Sequence, residues 1–248
     1  MKIAVCVSHV PDTATKIKIG ADEKMIDPAG VVYIINPYDE FAVEESLKTK
    51  EKFGGEVIAV SVGNDNSKET IRKSLAMGVD RGILLKCDRA LDSYGIAKAL
   101  SEELKNYVPN IIFMGKQSVD YDDAIVGQLT SEMLGISCIT NVIELKIDGQ
   151  KITAEREIEG GKEVVESELP IIITTQKGLN EPRYASLKGI MAAKKKEIAE
   201  KQVGDFSNLT EVLKIKKPAE KQPGRIVGTD ASAVPELVRL LHEEAKVI

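Results

Sequence analysis

The sequence has no tryptophan, two histidines and three cysteines in 248 residues, and its other ring side chains are six Tyr and four Phe. Two histidines cannot build a three-histidine zinc centre. Cys6, Cys87 and Cys138 stand far apart without a CxxC pair. That spacing excludes a zinc ribbon and a disulfide-stapled secreted domain, and suits a reducing compartment. No run of about 18 apolar residues is present, so a membrane-embedded chain is not expected. Basic residues are outnumbered 34 to 39, for a net charge of −5, which argues against a nucleic-acid surface. GxGxxG, GxxxxGK[ST], HExxH and GxSxG are all missing. The opening MKIAVCVSHVPD carries one Lys and a short apolar run ending at Pro11. It reads as a first strand rather than a signal peptide. What remains, 43% hydrophobic and 29% charged, is the composition of a globular protein with a sizeable core.

Short apolar runs alternate with helix-length amphipathic stretches. Ile3–Val7, Val57–Val62, Gly82–Lys86 and Asn110–Met114 read as strands buried on both faces. Between them, Glu40–Lys52 reads as a helix capped by Asn or Asp and stopped by Gly54-Gly55. Asn66 or Ser67 opens another that Gly78 ends, Asp92 or Ser93 opens a third to about Tyr107, and Gln128–Leu134 is a fourth. Helical connections between apolar strands predict right-handed crossovers and an α/β, doubly wound, mainly parallel sheet. Val142–Ile147, Lys151–Glu157, Lys162–Glu168 and the run Pro170–Thr175 read as antiparallel additions at the sheet edge, with turns at Asp148-Gly149 and Gly160-Gly161. After Leu179 no strand pattern is seen. Ala193–Pro223 is rich in Lys, Glu and Gln and reads as an exposed arm, and Pro235–Lys246 as a terminal amphipathic helix. The expected division is a domain at 1–192 and an extended C-terminal arm at 193–248.

Ligands of such sheets sit beyond the carboxyl ends of the strands, near the switch in strand order. Those ends are Cys6–His9, Val62-Gly63, Lys86-Cys87 and Gly115-Lys116-Gln117. The longest polar insert is GKQSVDYDDAIVG, Gly115–Gly127, before a helix whose start suits phosphate. Asp120, Asp122 and Asp123 are awkward for an anion and are expected to cap that helix. His9 reads as packed rather than catalytic, His242 as surface and Cys6 as core. No catalytic group is expected. The residues alone describe a nucleotide-sized pocket.

Several segments together resemble one family, the β subunit of electron transfer flavoprotein. KIAVCVSHVPD, NPYDEFAVEESLKTKE, VIAVSVG, ETIRKSLAMGVDRGI, GKQSVDYDDAIVGQ and LNEPRYASLKGIMAAKKK occur in the family's order along the whole chain. The resemblance implies a Rossmann-like, adenine-nucleotide-binding core and an αβ heterodimer. The α subunit would carry the redox FAD, and the arm of this chain would pack on it. Electrons would come from flavin dehydrogenases of the acyl-CoA type and go to a membrane quinone reductase. The setting would be cytoplasmic, or the mitochondrial matrix.

The resemblance also implies a structural AMP in this subunit. It would be held by Cys6, by Asn36, Pro37, Tyr38 and Asp39, by Val62, and by Gly115, Lys116, Gln117, Ser118, Val119, Asp120, Asp122, Asp123, Ala124, Ile125 and Val126. Where the AMP-binding branch has Asn-Gln-Thr, this sequence has Ala124-Ile125-Val126, so phosphate would rest on backbone N–H groups and hydroxyls. The alternative is a second FAD, as in the electron-bifurcating branch with NADH as donor. Val126-Gly127 and Asp92-Ser93 look similar to that branch, whereas LNEPRYASL has the form of the other. Leu187, with Tyr184, Ile190 and Met191, maps to the family's partner-recognition loop at about Leu179–Ala193, and Glu157 to a glutamate that steadies the FAD domain. A rival of another class is a stand-alone nucleotide-binding protein.

Overall fold

The structure, a computed structural model, describes residues 1–220 and 223–248, so positions 221 and 222 of the expected arm lie outside the described residues. In chain order, β1 (Lys2–Cys6) leads through a hairpin of β2 (His9–Pro11) and β3 (Tyr33–Ile35) to α1 (Pro37–Phe53). There follow β4 (Glu56–Gly63), α2 (Ser67–Met77), β5 (Arg81–Lys86), α3 (Ser93–Tyr107), β6 (Ile111–Gly115) and α4 (Val126–Leu134). The second half holds β7 (Ser137–Asp148), β8 (Lys151–Ile158), β9 (Gly161–Glu168), β10 (Ile171–Thr175), α5 (Leu187–Ala193), β11 (Ile198–Gln202) and α6 (Val234–Glu243).

Nine strands form one sheet in the order β11-β5-β4-β1-β6-β10-β7-β8-β9. The β-branched runs Ile3–Val5, Val57–Val60 and Ile111–Phe113 are fully buried because helices cover both faces. On one face Ala42, Val43 and Leu47 of α1 and Ile71 and Leu75 of α2 close a core over β1 and β4. On the other, Ala99, Leu100 and Leu104 of α3 close a second one. From β1 the chain winds outward to β4 and β5, then returns past β1 to β6. The direction of winding reverses between β1 and β6, which opens a crevice at their carboxyl ends.

Three expectations are corrected. The run ending at Thr175 is not an edge addition: β10 lies inside the sheet, parallel to both β6 and β7. Only β8 and β9 add antiparallel. The polar stretch after Leu179 does contain a strand, since β11 pairs parallel with β5 from Ile198↔Gly82 to Gln202↔Lys86. Its side chains are mostly exposed, so no apolar pattern betrays it. And Asn36 precedes α1 without capping it through its side chain, for a reason found at the crevice.

Candidate functional site

Asp39 lies in the first turn of α1, which runs from the β1 end of the crevice. Its Oδ2 accepts the Ser8 N–H just after β1 at 2.7 Å, and its Oδ1 accepts the Gly115 N–H at the end of β6 at 2.9 Å. One carboxyl therefore joins both strands that bound the switch point. The approach requires Gly115, where a Cβ would sit 2.3 Å from Asp39 Oδ1. Asp39 is 4% exposed. Burial pushes its carboxyl up from 3.8 to about 7, against the pull of the two N–H groups. A carboxyl so raised keeps a proton in the folded protein that the unfolded chain has already lost. Its effect is to lower stability as pH climbs from about 4 to 7, by up to about 1.4 kcal/mol per unit. Urea unfolding across that range is expected to show a flatter pH slope for Asp39→Asn than for wild type. Equal slopes would remove Asp39 as the source.

Asn36 is also buried. Its Nδ2 donates to the Gln117 carbonyl at 2.8 Å and its Oδ1 accepts the Val119 N–H at 3.2 Å. The amide staples the Gly115–Ile125 loop instead of capping α1. The three aspartates of that loop do not cap α4 either, because α4 starts at Val126 with Ile125 before it and no side-chain cap. They tie the loop to itself and to the start of α3. Asp120 accepts from the Ser118 hydroxyl and from the Tyr121 N–H, Asp122 from Gln117 Nε2 at 3.0 Å, and Asp123 from Ser93 Oγ at 2.7 Å. The uncapped N–H groups at the start of α4 thus remain for an anion.

These elements enclose a cleft of ≈ 1240 Å³. Of the expected binding residues, it brings together Cys6, Asn36, Asp39, Val62, Gly115–Ser118, Asp120, Asp123 and Val126. Pro37, Tyr38, Val119, Asp122, Ala124 and Ile125 do not line it. Pro37 opens α1, and Tyr38 lies under Lys116, whose Nζ is 5.0 Å from the ring. Val60, Ile96, Leu100 and Met114 add an apolar floor. Two walls complete the cleft. The Ile19–Val31 loop, including Asp22, Met25, Asp27 and Pro28, was not foreseen, whereas Asp88–Leu91 extends the wall from the expected strand end at Cys87 towards Ser93. The first had one sequence signal, the alternating Lys-Ile-Lys-Ile before Gly20, which closes the bridge Ile19↔Ile26.

Burial, and then the neighbouring Asp39, raises the Cys6 thiol well above its ordinary value, so it is no thiolate. His9 also lines the cleft, with its ring stacked on Tyr33 at 4.6 Å and Nδ1 2.7 Å from Thr70 Oγ1. Thr70 is wholly buried on α2, so this contact orients the imidazole rather than arming a hydroxyl. Burial lowers the His9 pKa below its usual value. The described residues hold no metal-ligating cluster of three or more His, Cys, Asp or Glu.

A second feature lies across the domain. Arg183 grips Glu44 of α1, with Nε–Oε2 at 2.8 Å and Nη2–Oε1 at 2.9 Å, and reaches Glu51 through Nη1 at 2.6 Å. Asn180 Nδ2 donates to the Phe41 carbonyl and to Glu45. The LNEPRY segment is thus pinned to α1 by its polar residues. The residues after it are turned outward: Tyr184 is 99% and Leu187 84% exposed, with Ile190 and Met191 beside them. Leu187 begins α5 rather than sitting in a loop, and Ser186 caps that helix through the Gly189 N–H. Gly189 lets α5 approach α2, since a Cβ there would meet the Ala76 carbonyl oxygen at 2.3 Å. Glu157 stands elsewhere, at the end of β8, accepting from Gln176 Nε2 at 2.7 Å.

No helix of the described residues is long and apolar enough to cross a membrane. Residues 24–205 match the electron transfer flavoprotein domain. The chain is 42% identical to the electron transfer flavoprotein subunit beta of Bradyrhizobium diazoefficiens and 38% identical to that of Bacillus subtilis, over the full length of both partners in each case. It is 37% identical to the Mus musculus subunit beta, covering all of this chain and 99% of the mouse one. With its doubly wound sheet, its switch-point cleft and these full-length likenesses, the chain belongs to the beta-subunit family of electron transfer flavoproteins.

Proposed function

We propose that the chain is the β half of an αβ heterodimer that carries electrons. It would take them from flavin dehydrogenases of the acyl-CoA type, through an FAD held mainly on the α subunit, and deliver them to a membrane quinone reductase. FAD would supply the redox chemistry. This chain would bind a structural AMP, present the Tyr184–Met191 surface to the dehydrogenase, and pack residues 193–248 on α, in the cytoplasm or the mitochondrial matrix. The observation that carries the reading is the cleft, where an apolar floor of Val60, Val62, Ile96 and Met114 ends at the uncapped start of α4. An adenosine on that floor would place a phosphate at the helix N–H groups. Lys116 and Arg89 also border it, though Lys116 lies over Tyr38 and Arg89 over Phe206.

A second FAD in place of AMP, with NADH as donor, is the other reading. The cleft favours it through its size, continuing past Leu91 and Ser93 on one side and Asp27 on the other. The experiment is stoichiometric. The chain is purified together with an α subunit, denatured, and the released nucleotides are counted. One FAD and one AMP per heterodimer is the expected result. Two FAD would replace the AMP reading by the bifurcating one. A colourless homo-oligomer that takes up no α subunit would sink both.

A further inference from the structure

Residues 206–215 of the arm are held at two places. The first is the entrance to α3. Asn208 Oδ1 accepts the Asp92 N–H at 3.2 Å and its Nδ2 donates to the Ala90 carbonyl at 3.0 Å. Asp92 Oδ1 caps α3 through the Gly95 N–H, while its Oδ2 accepts the Leu209 N–H at 2.7 Å, the Thr210 N–H at 2.8 Å and Thr210 Oγ1 at 3.0 Å. Arg89 lies 5.3 Å over the Phe206 ring, and that ring packs on the apolar cluster that floors the cleft. The second place is the loop on the far side. The Ile215 N–H donates to the Glu23 carbonyl at 2.8 Å, Lys24 pairs with Glu211 at 2.6 Å, and Lys214 pairs with Glu23 at 2.5 Å.

These anchor points flank the two cleft walls, Arg89–Leu91 with Ser93 on one side and Asp22 with Met25 on the other. The five steps from Thr210 to Ile215 span at most roughly 18 Å, so this short segment alone joins the Asp92 anchor to the Glu23 anchor. We propose that residues 206–215 are a strap that couples nucleotide occupancy of the cleft to docking of the C-terminal arm. The inference rests on the nucleotide reading above. Both walls are loops, one closed by a single bridge at Ile19↔Ile26 and the other joining β5 to α3. A nucleotide between them sets their separation, and with it the distance the strap must bridge. A docked strap holds the same separation for the nucleotide. The factor by which each strengthens the other is the same in both directions. The strap is held by hydrogen bonds, exposed ion pairs and one aromatic ring, so it opens more readily than the sheet. Whatever draws the arm off the walls would loosen the nucleotide.

The test uses the full chain with AMP as probe and FAD in parallel. In the wild-type protein, saturating AMP is expected to slow hydrogen exchange at the Leu209, Thr210 and Ile215 amides about tenfold. The double substitution Asn208→Ala with Thr210→Val, at residues that do not line the cleft, is expected to release AMP about tenfold faster, the scale of one or two lost hydrogen bonds. AMP that binds without changing exchange at those three amides would overturn the strap and leave the nucleotide reading standing. So would a double variant that loses their protection yet holds AMP for the wild-type time. A wild-type chain that binds neither AMP nor FAD would overturn both readings at once.

Discussion

Gly115→Ala is expected to cost about 3 kcal/mol of stability and to empty the cleft. The added carbon would meet Asp39 Oδ1 at 2.3 Å, Tyr38 Cβ at 2.8 Å and the Tyr38 carbonyl carbon at 2.9 Å. None of these is the free end of a long side chain. Two belong to the first turn of α1, and the third is a carboxyl oxygen already committed to the Ser8 and Gly115 N–H groups. Relief would push α1 away from β6, leaving those N–H groups short of an acceptor. Overpacking of a tight site costs about 1–3 kcal/mol, and each buried polar group left unpaired adds about 1–3. The strand ends would then splay where the nucleotide is proposed to lie. Gly161→Ala is the control, because nothing stands within 4 Å of a Cβ there. Urea unfolding and the AMP content of the purified protein read both effects. A Gly115→Ala protein with wild-type midpoint and full nucleotide would show that the Asp39 tie does not organise the site.

Arg183→Ala should have an effect of similar size by another route. The Glu44 side chain is 5% exposed, and its carboxylate is held by Arg183 through Nε, Nη2 and the backbone N–H. Removing the guanidinium strands a buried charge, which typically costs about 3–5 kcal/mol. Because Arg183 itself is 36% exposed, the lower end of about 3 kcal/mol applies. Arg183→Lys would recover only part, since an ammonium cannot reproduce the fork shared between Glu44 and Glu51. The same change frees the segment that presents Leu187. Electron acceptance from a dehydrogenase should therefore slow together with the loss of stability. Leu187→Ala should slow it alone, as an exposed anchor residue can carry binding energy without bearing on the fold. If Leu187→Ala accepts electrons at the wild-type rate, this surface is not where the donor docks.

Much of the architecture was legible in the residues because buried parallel strands write themselves as short β-branched runs. The apolar runs beginning at Ile3, Val57, Gly82 and Asn110 fall on β1, β4, β5 and β6 within about one residue at each end. The helix cap at Asp92 is equally local, a carboxylate three residues before the N–H that it accepts. β11 was not legible. An edge strand with its side chains largely in water needs backbone pairing and nothing from composition. The rank of β10 inside the sheet was hidden too, because strand order depends on partners far away in sequence.

At the site the division is similar. The strand ends and the Gly115–Gly127 insert marked where the cleft would open, since a parallel sheet leaves its ligand side at those ends. The roles of individual residues were not marked. Asn36 and the loop aspartates look like helix caps by type and position. In the folded chain, their bonds go instead to Gln117, Val119, Ser93 and Ser118. Short-range chemistry, such as strand runs, glycine stops and a conspicuous segment at 179–193, is thus determined by the sequence itself. Which carboxyl ties which strand, which loop forms a wall and where the arm lies are decided by tertiary structure. The carboxyl ties between strands and the contacts of the arm join residues 31 to 191 positions apart, and no local pattern encodes a distance that only the assembled sheet creates.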